Sequence, residues 1–471
     1  MTLCTPCWTY NESFYAALTE GAKFCIKTDN VKGKSLFARR KIFEGDIVHE
    51  ETALCCSQNL DDFLNEVPVC GNCLVYLESP AQSVVRLTDG NAPVSAPPYQ
   101  GSCANLRQFR CMHWENGCTM IFCCVRCREA AWSRFHFAGC RGRMADDQKT
   151  AYDEFVSHDW LLNGLNYSDT VFFAFRFVCM VLTSVRLHHQ LLETAYQPVS
   201  QLAKMPLTHF RFTYLLGPTK DNAKEENGKD GGVIEEHGKV SENSDEKDAE
   251  KAKKVNQQWL KQLEDFRRSN AQGSLTEVDD AAELFLSKGV ELLDRILRFS
   301  EEERCFFTPH RWSELLGAIL LNGQERNRPS HYQRLKEKVK ALPGGHARID
   351  AFEEKLRAAG VDPQKLSCGS RGQGVYTIGC LFNHSCEPNL QVLYTVSGDE
   401  TLSIEALRDI EPGEELNISY IDDTLPYPRR QLSLLEHYLF QCACPRCTRE
   451  APEWEGCSGQ AEDKSVAAPV S

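Results

Sequence analysis

Seven cysteines and one histidine fall at spacings that suit a metal ion: Cys70-x2-Cys73, Cys111-x6-Cys118, Cys123-x3-Cys127 and His136-x3-Cys140. Thiolate sulfur and imidazole nitrogen are ligands that zinc favours, and eight of them in four local pairs suffice for two closed tetrahedral sites. Divided four and four, neither site keeps an open coordination position, so the metal is expected to be structural rather than catalytic. A third group, Cys442-x1-Cys444-x2-Cys447, has no fourth ligand nearby in sequence, and Cys386 is the candidate. A different kind of chemistry is carried by Leu416-Asn417-Ile418-Ser419-Tyr420, where strand alternation puts Leu416, Ile418 and Tyr420 on one face. A phenol turned inward needs a partner or a task.

The elements that must hold these residues follow from the hydrophobic pattern. Residues 24–54 alternate short apolar runs with turns such as Lys32-Gly33-Lys34 and Glu44-Gly45-Asp46, as antiparallel strands do. A cysteine-rich stretch follows, 70–140, with a Pro/Gly/Ser-rich loop at 79–102 that carries neither helical nor strand period. Helical spacing covers 151–216 and resumes at 255–297, 312–321 and 332–359, with Pro363 marking the exit. Residues 221–254 are dominated by Lys, Glu, Asp, Gly and Ser and are expected to be a disordered, solvated insertion. Period two returns in 390–396 and 401–407, a hairpin across Ser397-Gly398-Asp399-Glu400, and the tail after Thr448 reads as unstructured. The fold class is therefore α+β.

The run Asn383-His384-Ser385-Cys386, the strand ending at Tyr420 and the cluster Cys442-Ala443-Cys444-Pro445-Arg446-Cys447 together resemble the cofactor and lysine site of SET-domain protein methyltransferases. The ending Cys118-x4-Cys123-x3-Cys127-x8-His136-x3-Cys140 resembles the MYND zinc finger. Interruption of a SET fold by such a finger and a helical insert is the signature of the SET and MYND domain-containing family. Phe307-Thr308-Pro309, Leu321-Asn322-Gly323-Gln324 and Tyr438-Leu439-Phe440-Gln441-Cys442 resemble segments of one member, which lacks the family's helical C-terminal domain. The resemblance implies a SET β fold split into 22–66 and 367–422, a MYND-type finger at 67–140, a helical insert at 141–366, a post-SET zinc segment at 423–448 and a disordered tail at 449–471. It implies a knot in which the Asn-His segment passes beneath the terminal strand.

The interleaved pairing of that finger would place Cys70, Cys73, Cys123 and Cys127 on one ion and Cys111, Cys118, His136 and Cys140 on another. Its third and fourth ligands are usually a CxxC, and the wider gap here leaves Cys103, His113 or Cys124 as substitutes for Cys111. Cys386, Cys442, Cys444 and Cys447 would hold a third structural zinc and bring Tyr438 and Phe440 near Asn383 and His384. S-adenosylmethionine would lie around Lys32, Lys34, Asn322, Asn383 and His384, with Phe440 on its adenine, while Tyr420 and Tyr438 line a lysine channel. The turn Val31-Lys32-Gly33-Lys34-Ser35-Leu36-Phe37-Ala38 resembles the family's first cofactor-binding turn, with Ser35 where glycine is usual.

A net charge of -13 argues against a general affinity for phosphate backbones and disfavours a DNA-binding zinc protein; a basic protein segment is the better partner. The expected function is lysine methylation of a histone or a non-histone protein such as a ribosomal one. The alternative is an inactive adaptor that binds proline-rich peptides through the finger. Met1-Thr2-Leu3-Cys4-Thr5-Pro6-Cys7 has no basic flank before an apolar core, so cytoplasm, with the nucleus open, is the expected compartment for a monomeric chain. The apolar stretch 171–185, interrupted by Arg176, reads as a buried helix rather than a membrane span. Of the 23 cysteines, Cys55, Cys56, Cys179 and Cys305 are expected to be buried apolar thiols, and Cys4 and Cys7 receive no role.

Overall fold

The computed structural model describes residues 8–88, 108–162, 164–210, 280–367, 369–394 and 401–458. The charged run 221–254, Cys4, Cys7, Cys103 and the turn 395–400 lie outside them.

The strands of the first sixty residues are completed from the far end of the chain. Phe24–Asp29 and Gly33–Ala38 form a hairpin. Ile47–Thr52 pairs antiparallel with Thr401–Ala406, which pairs in turn with Leu390–Tyr394. Cys55–Gln58 pairs antiparallel with Gly372–Val375, whose other edge takes Gln324–Glu325. Asn383–His384 runs parallel to Asn417–Ile418, in the register Asn383 opposite Asn417. Leu36, Ile42, Tyr376, Leu402, Ile404, Ile410 and Leu416 are buried between these strands and form the core of the β unit.

A second core is helical. Ser168–Arg186 is the one helix among the described residues long and apolar enough to cross a membrane by length and composition, and 72% of its apolar window is buried inside the fold. Arg176, which interrupts its apolar run, sends its guanidinium to the carbonyls of Cys56 at 2.8 Å and Gly71 at 2.9 Å, and so ties the helix to both the β unit and the cysteine module. Asp280–Leu297 and Pro309–Asn322 pack nearby through Phe285, Leu292, Trp312 and Leu316. Gly317 lets the second of these approach closely, because a Cβ there would collide with the Met205 carbonyl.

Several expectations are corrected. The loop 79–102 begins with a helix, Pro80–Leu87, started by a reciprocal cap between Ser79 and Gln82 with proline at the first position. The stretch 332–359 is two helices, His331–Lys340 and Gly345–Ala358, parted at Pro343-Gly344. Pro363 opens a short helix, Pro363–Ser367, instead of closing one, since its missing N–H is no loss at a first helical position. The last helix, Pro445–Ser458, runs past Thr448, steadied by ion pairs of Glu450 with Arg446 and Arg430. Cys305 is exposed, because Glu303 and Phe306 take the inward positions of its short helix; Cys55, Cys56 and Cys179 are buried.

Candidate active site and metal centres

Three groups of ligand atoms each converge to within 4.8 Å: Cys70, Cys73, Cys123 and Cys127; Cys111, Cys118, His136 and Cys140; and Cys386, Cys442, Cys444 and Cys447. Four soft donors at that separation are what a tetrahedral zinc requires. The two alternatives to Cys111 that are described have other employment. His113 stacks on Trp132 with centroids 5.5 Å apart, and Cys124 caps the helix Val125–Ala131, its sulfur accepting from Cys127 N–H.

The third group closes a wall. Tyr427–Tyr438 ends at Leu439, whose φ of +61° is left-handed, and the chain reverses there. That conformation costs a non-glycine residue about 1 kcal/mol, and burial of Leu439 against Met205 and Phe210 offsets it. After the reversal Phe440 lies 6.1 Å from the His384 ring, and Tyr438 lies 4.8 Å from Tyr420, centroid to centroid.

Tyr420 leaves the end of the strand Asn417–Ile418 and donates its phenol to the Phe382 carbonyl at 2.7 Å. Burial raises its pKa, and Tyr438 adds to the effect, so the phenol stays protonated at any ordinary pH. His384 accepts the Tyr420 N–H on Nδ1 at 3.0 Å, which assigns the proton to Nε2, 3.2 Å from Cys386 sulfur. Burial depresses its pKa to about 4, so the ring is neutral. A cavity of about 440 Å³ opens in front of these residues, its wall including Asn322, Phe382, Ile418, Tyr420 and Tyr438. Cys380 also faces it, its thiol pushed up to about 12 by burial and therefore unreactive.

The residues expected around a cofactor meet, with two changes. Asn383 donates to the Lys34 carbonyl, and the Asn322 amide is fixed by Ala203 O at 2.6 Å and Ala318 O at 2.7 Å. The ammonium of Lys34, however, is turned away and caged by Thr9 O, Tyr15 Oη and Gln201 O; only its main chain faces Asn383. The ammonium of Lys32 is paired with Glu415 at 2.5 Å. The remaining groups suit an adenosyl sulfonium: aromatic faces at Phe440 and Tyr438, a free amide oxygen on Asn383, and Gln324 Oε1, buried in the cavity wall without a partner among the described residues.

The SET domain model matches residues 208–421. Protein-lysine N-trimethyltransferase SMYD5 of Mus musculus is 25% identical over 460 residues, 94% of this chain and 91% of the relative. A SET and MYND domain-containing protein of Dictyostelium discoideum is 47% identical over 91 residues, 19% of this chain and 17% of the relative. Histone-lysine N-methyltransferase ATXR4 of Arabidopsis thaliana is 31% identical over 153 residues, 32% of this chain and 40% of the relative. Over nearly its whole length the chain is similar to a protein-lysine methyltransferase, and over shorter stretches to a SET and MYND domain-containing protein and a histone-lysine methyltransferase.

Several site residues escape the sequence patterns. The N-terminal helix Glu12–Leu18, capped by Asn11, supplies Tyr15 to the Lys34 cage, and the only signal for it is an Asn before Glu-Ser-Phe. Glu51 accepts the N–H groups of Thr377, Ile378 and Gly379 at 2.6 to 3.1 Å, which fixes the backbone leading to Cys380 and Phe382. Nothing local in the sequence marks Glu51 for this, because its partners lie about 330 residues away.

Proposed function

We propose that this chain is an S-adenosylmethionine-dependent protein-lysine N-methyltransferase, with three zinc ions as structural elements. The observation that carries the proposal is the packing of Tyr420 between Phe382, His384 and Tyr438 at the wall of a cavity, with its phenol hydrogen committed to a carbonyl.

Bound S-adenosylmethionine supplies the methyl group and, beside it, a positive charge that disfavours a second cation. A lysine substrate begins protonated, and neutralising it at pH 7 costs about 4 to 5 kcal/mol. Walls made by Phe382, Ile418, Tyr420 and Tyr438 reduce that cost by disfavouring the ammonium. Because the Tyr420 proton goes to Phe382 O, its oxygen lone pairs remain to accept an amine N–H and aim the nitrogen lone pair along the transfer line. Tyr420 orients and does not take the proton, which leaves to water. The same rings hold the cationic product by cation–π attraction.

The substrate proposed is a lysine in a basic segment of a histone or ribosomal protein, in keeping with the net charge of -13. The mouse relative is a protein-lysine N-trimethyltransferase, which extends the proposal to successive transfers. Cytoplasm and nucleus are the proposed places of action. The test is transfer of labelled methyl to protein lysines in a zinc-supplemented cell extract. Wild type should label, and Tyr420→Phe should label at least tenfold less; absence of label with the wild-type chain would overturn the assignment.

A further inference from the structure

Asn383 is held by a network that reaches Ser35 and Glu415, whose side chains had no assigned task in the site. Its Nδ2 faces Ser35 Oγ at 2.7 Å, Glu415 Oε1 at 3.1 Å and Lys34 O at 3.3 Å. A carboxylate and a main-chain carbonyl can only accept, so the amide must present its NH2 to them, and the orientation of the side chain is fixed by chemistry. Ser35 is 1% exposed, on the strand Gly33–Ala38, and cannot swing away. Glu415 is gripped from outside by Lys32 at 2.5 Å, and Asn389 holds the Glu415 carbonyl at 2.8 Å.

With its nitrogen so engaged, the amide turns Oδ1 away from the network, and among the described residues no donor reaches that oxygen. A carboxylate behind the NH2 polarises the amide and makes Oδ1 a stronger acceptor, best suited to a cation. Of the charged groups on a methyl donor's amino-acid end, the carboxylate only accepts and the α-ammonium only donates.

We propose that Ser35 and Glu415 are positioning residues that hold the Asn383 amide with its oxygen toward the α-ammonium of the methyl donor, and that Lys32 acts on the donor only through Glu415. This rests on the methyltransferase assignment. It also gives Ser35 a purpose at a position where the hydroxyl would otherwise be an isolated polar group in a buried strand.

The test is calorimetric titration of the zinc-loaded full chain with S-adenosylhomocysteine and with 5′-methylthioadenosine, which keeps the nucleoside and lacks the amino-acid end. Ser35→Ala removes one neutral hydrogen bond from the network and should weaken S-adenosylhomocysteine about three- to tenfold, leaving methylthioadenosine within about twofold. Glu415→Gln should do the same, and because Glu415 is on a partly exposed rim it serves if Ser35→Ala folds poorly. Lys32→Met should weaken S-adenosylhomocysteine by about threefold in the wild-type background and not at all in the Glu415→Gln background. Equal losses for both ligands, an unchanged affinity in Ser35→Ala, or a Lys32 effect that survives Glu415→Gln would overturn the inference. A wild-type chain that binds neither compound would overturn the methyltransferase assignment itself, and this inference with it.

Discussion

Arg430 should be indispensable to the wall that the third cysteine group closes. It is fully buried, and it donates to Leu425 O at 2.5 Å, to Glu450 at 2.7 Å and toward Cys447 sulfur at 3.8 Å. With zinc bound there, four thiolates would carry two net negative charges, which a guanidinium in contact with the cluster would partly compensate. Loss of one member of a buried ion pair usually costs about 3 to 5 kcal/mol. Glu450 is 28% exposed and keeps Arg446 at 2.7 Å, which lowers the expectation for Arg430→Met to about 2 to 3 kcal/mol. For 471 residues unfolding together, at an entropy of about 2.1 cal/mol/K per residue, that corresponds to a fall in melting temperature of about 2 to 3 °C. When loaded with zinc, the same variant should release metal from the Cys386, Cys442, Cys444 and Cys447 group markedly faster to a chromogenic chelator, since the charge that stabilises the thiolates is gone. An unchanged melting temperature together with unchanged release of all ions would show that the buried guanidinium does not stabilise the cluster, and the account of the wall would fail.

Lys34 gives a pH signature. Burial lowers its pKa from 10.5 to about 8, so between those values the unfolded chain holds a proton that the folded chain has lost, and stability must rise with pH across that window. The stability of wild type minus that of Lys34→Met should therefore grow by roughly 2 to 2.5 kcal/mol between pH 7 and pH 10, measured by urea unfolding; a flat difference would contradict the burial. Glu51→Gln keeps one acceptor oxygen and loses the charge that receives the N–H groups of Thr377, Ile378 and Gly379. It should destabilise the fold by about 2 to 3 kcal/mol and lower kcat more than it raises the KM for protein substrate; wild-type kcat would rule out a positioning effect. Chelation should unfold the module around Cys70 to Cys140, and Trp132, whose ring is 6.0 Å from His136, should report it by fluorescence, with loss of two ions preceding the global melt.

The metal groups and the tyrosine strand were legible because their chemistry constrains both residue type and local spacing. Four ligands of fixed softness leave few arrangements, and alternation around Ile418 puts Tyr420 inward regardless of what it meets. Lys32 and Lys34 were legible as members of a turn but not in their side-chain roles. Their partners, Glu415 and the Tyr15–Gln201 pair, are remote in sequence, and no periodicity links them. The helix Pro80–Leu87 was readable from its Ser-Pro-Ala-Gln start, and composition alone obscured it. Cys305 shows the converse limit: in a helix of six residues too few positions exist for the apolar stripe to declare its direction.

Ser403 bonds to Glu50, 353 positions away in the chain, and this long return of the chain has a consequence at the ribosome. At about 5 to 20 residues per second the opening strands wait roughly 20 to 70 seconds for their mates, with hydrogen-bonding edges bare in the meantime. The early cysteine module and the long apolar helix can mature during that interval and shelter the waiting hairpin. Nascent chains arrested before residue 401 should therefore recruit holding chaperones, and full-length synthesis should release them.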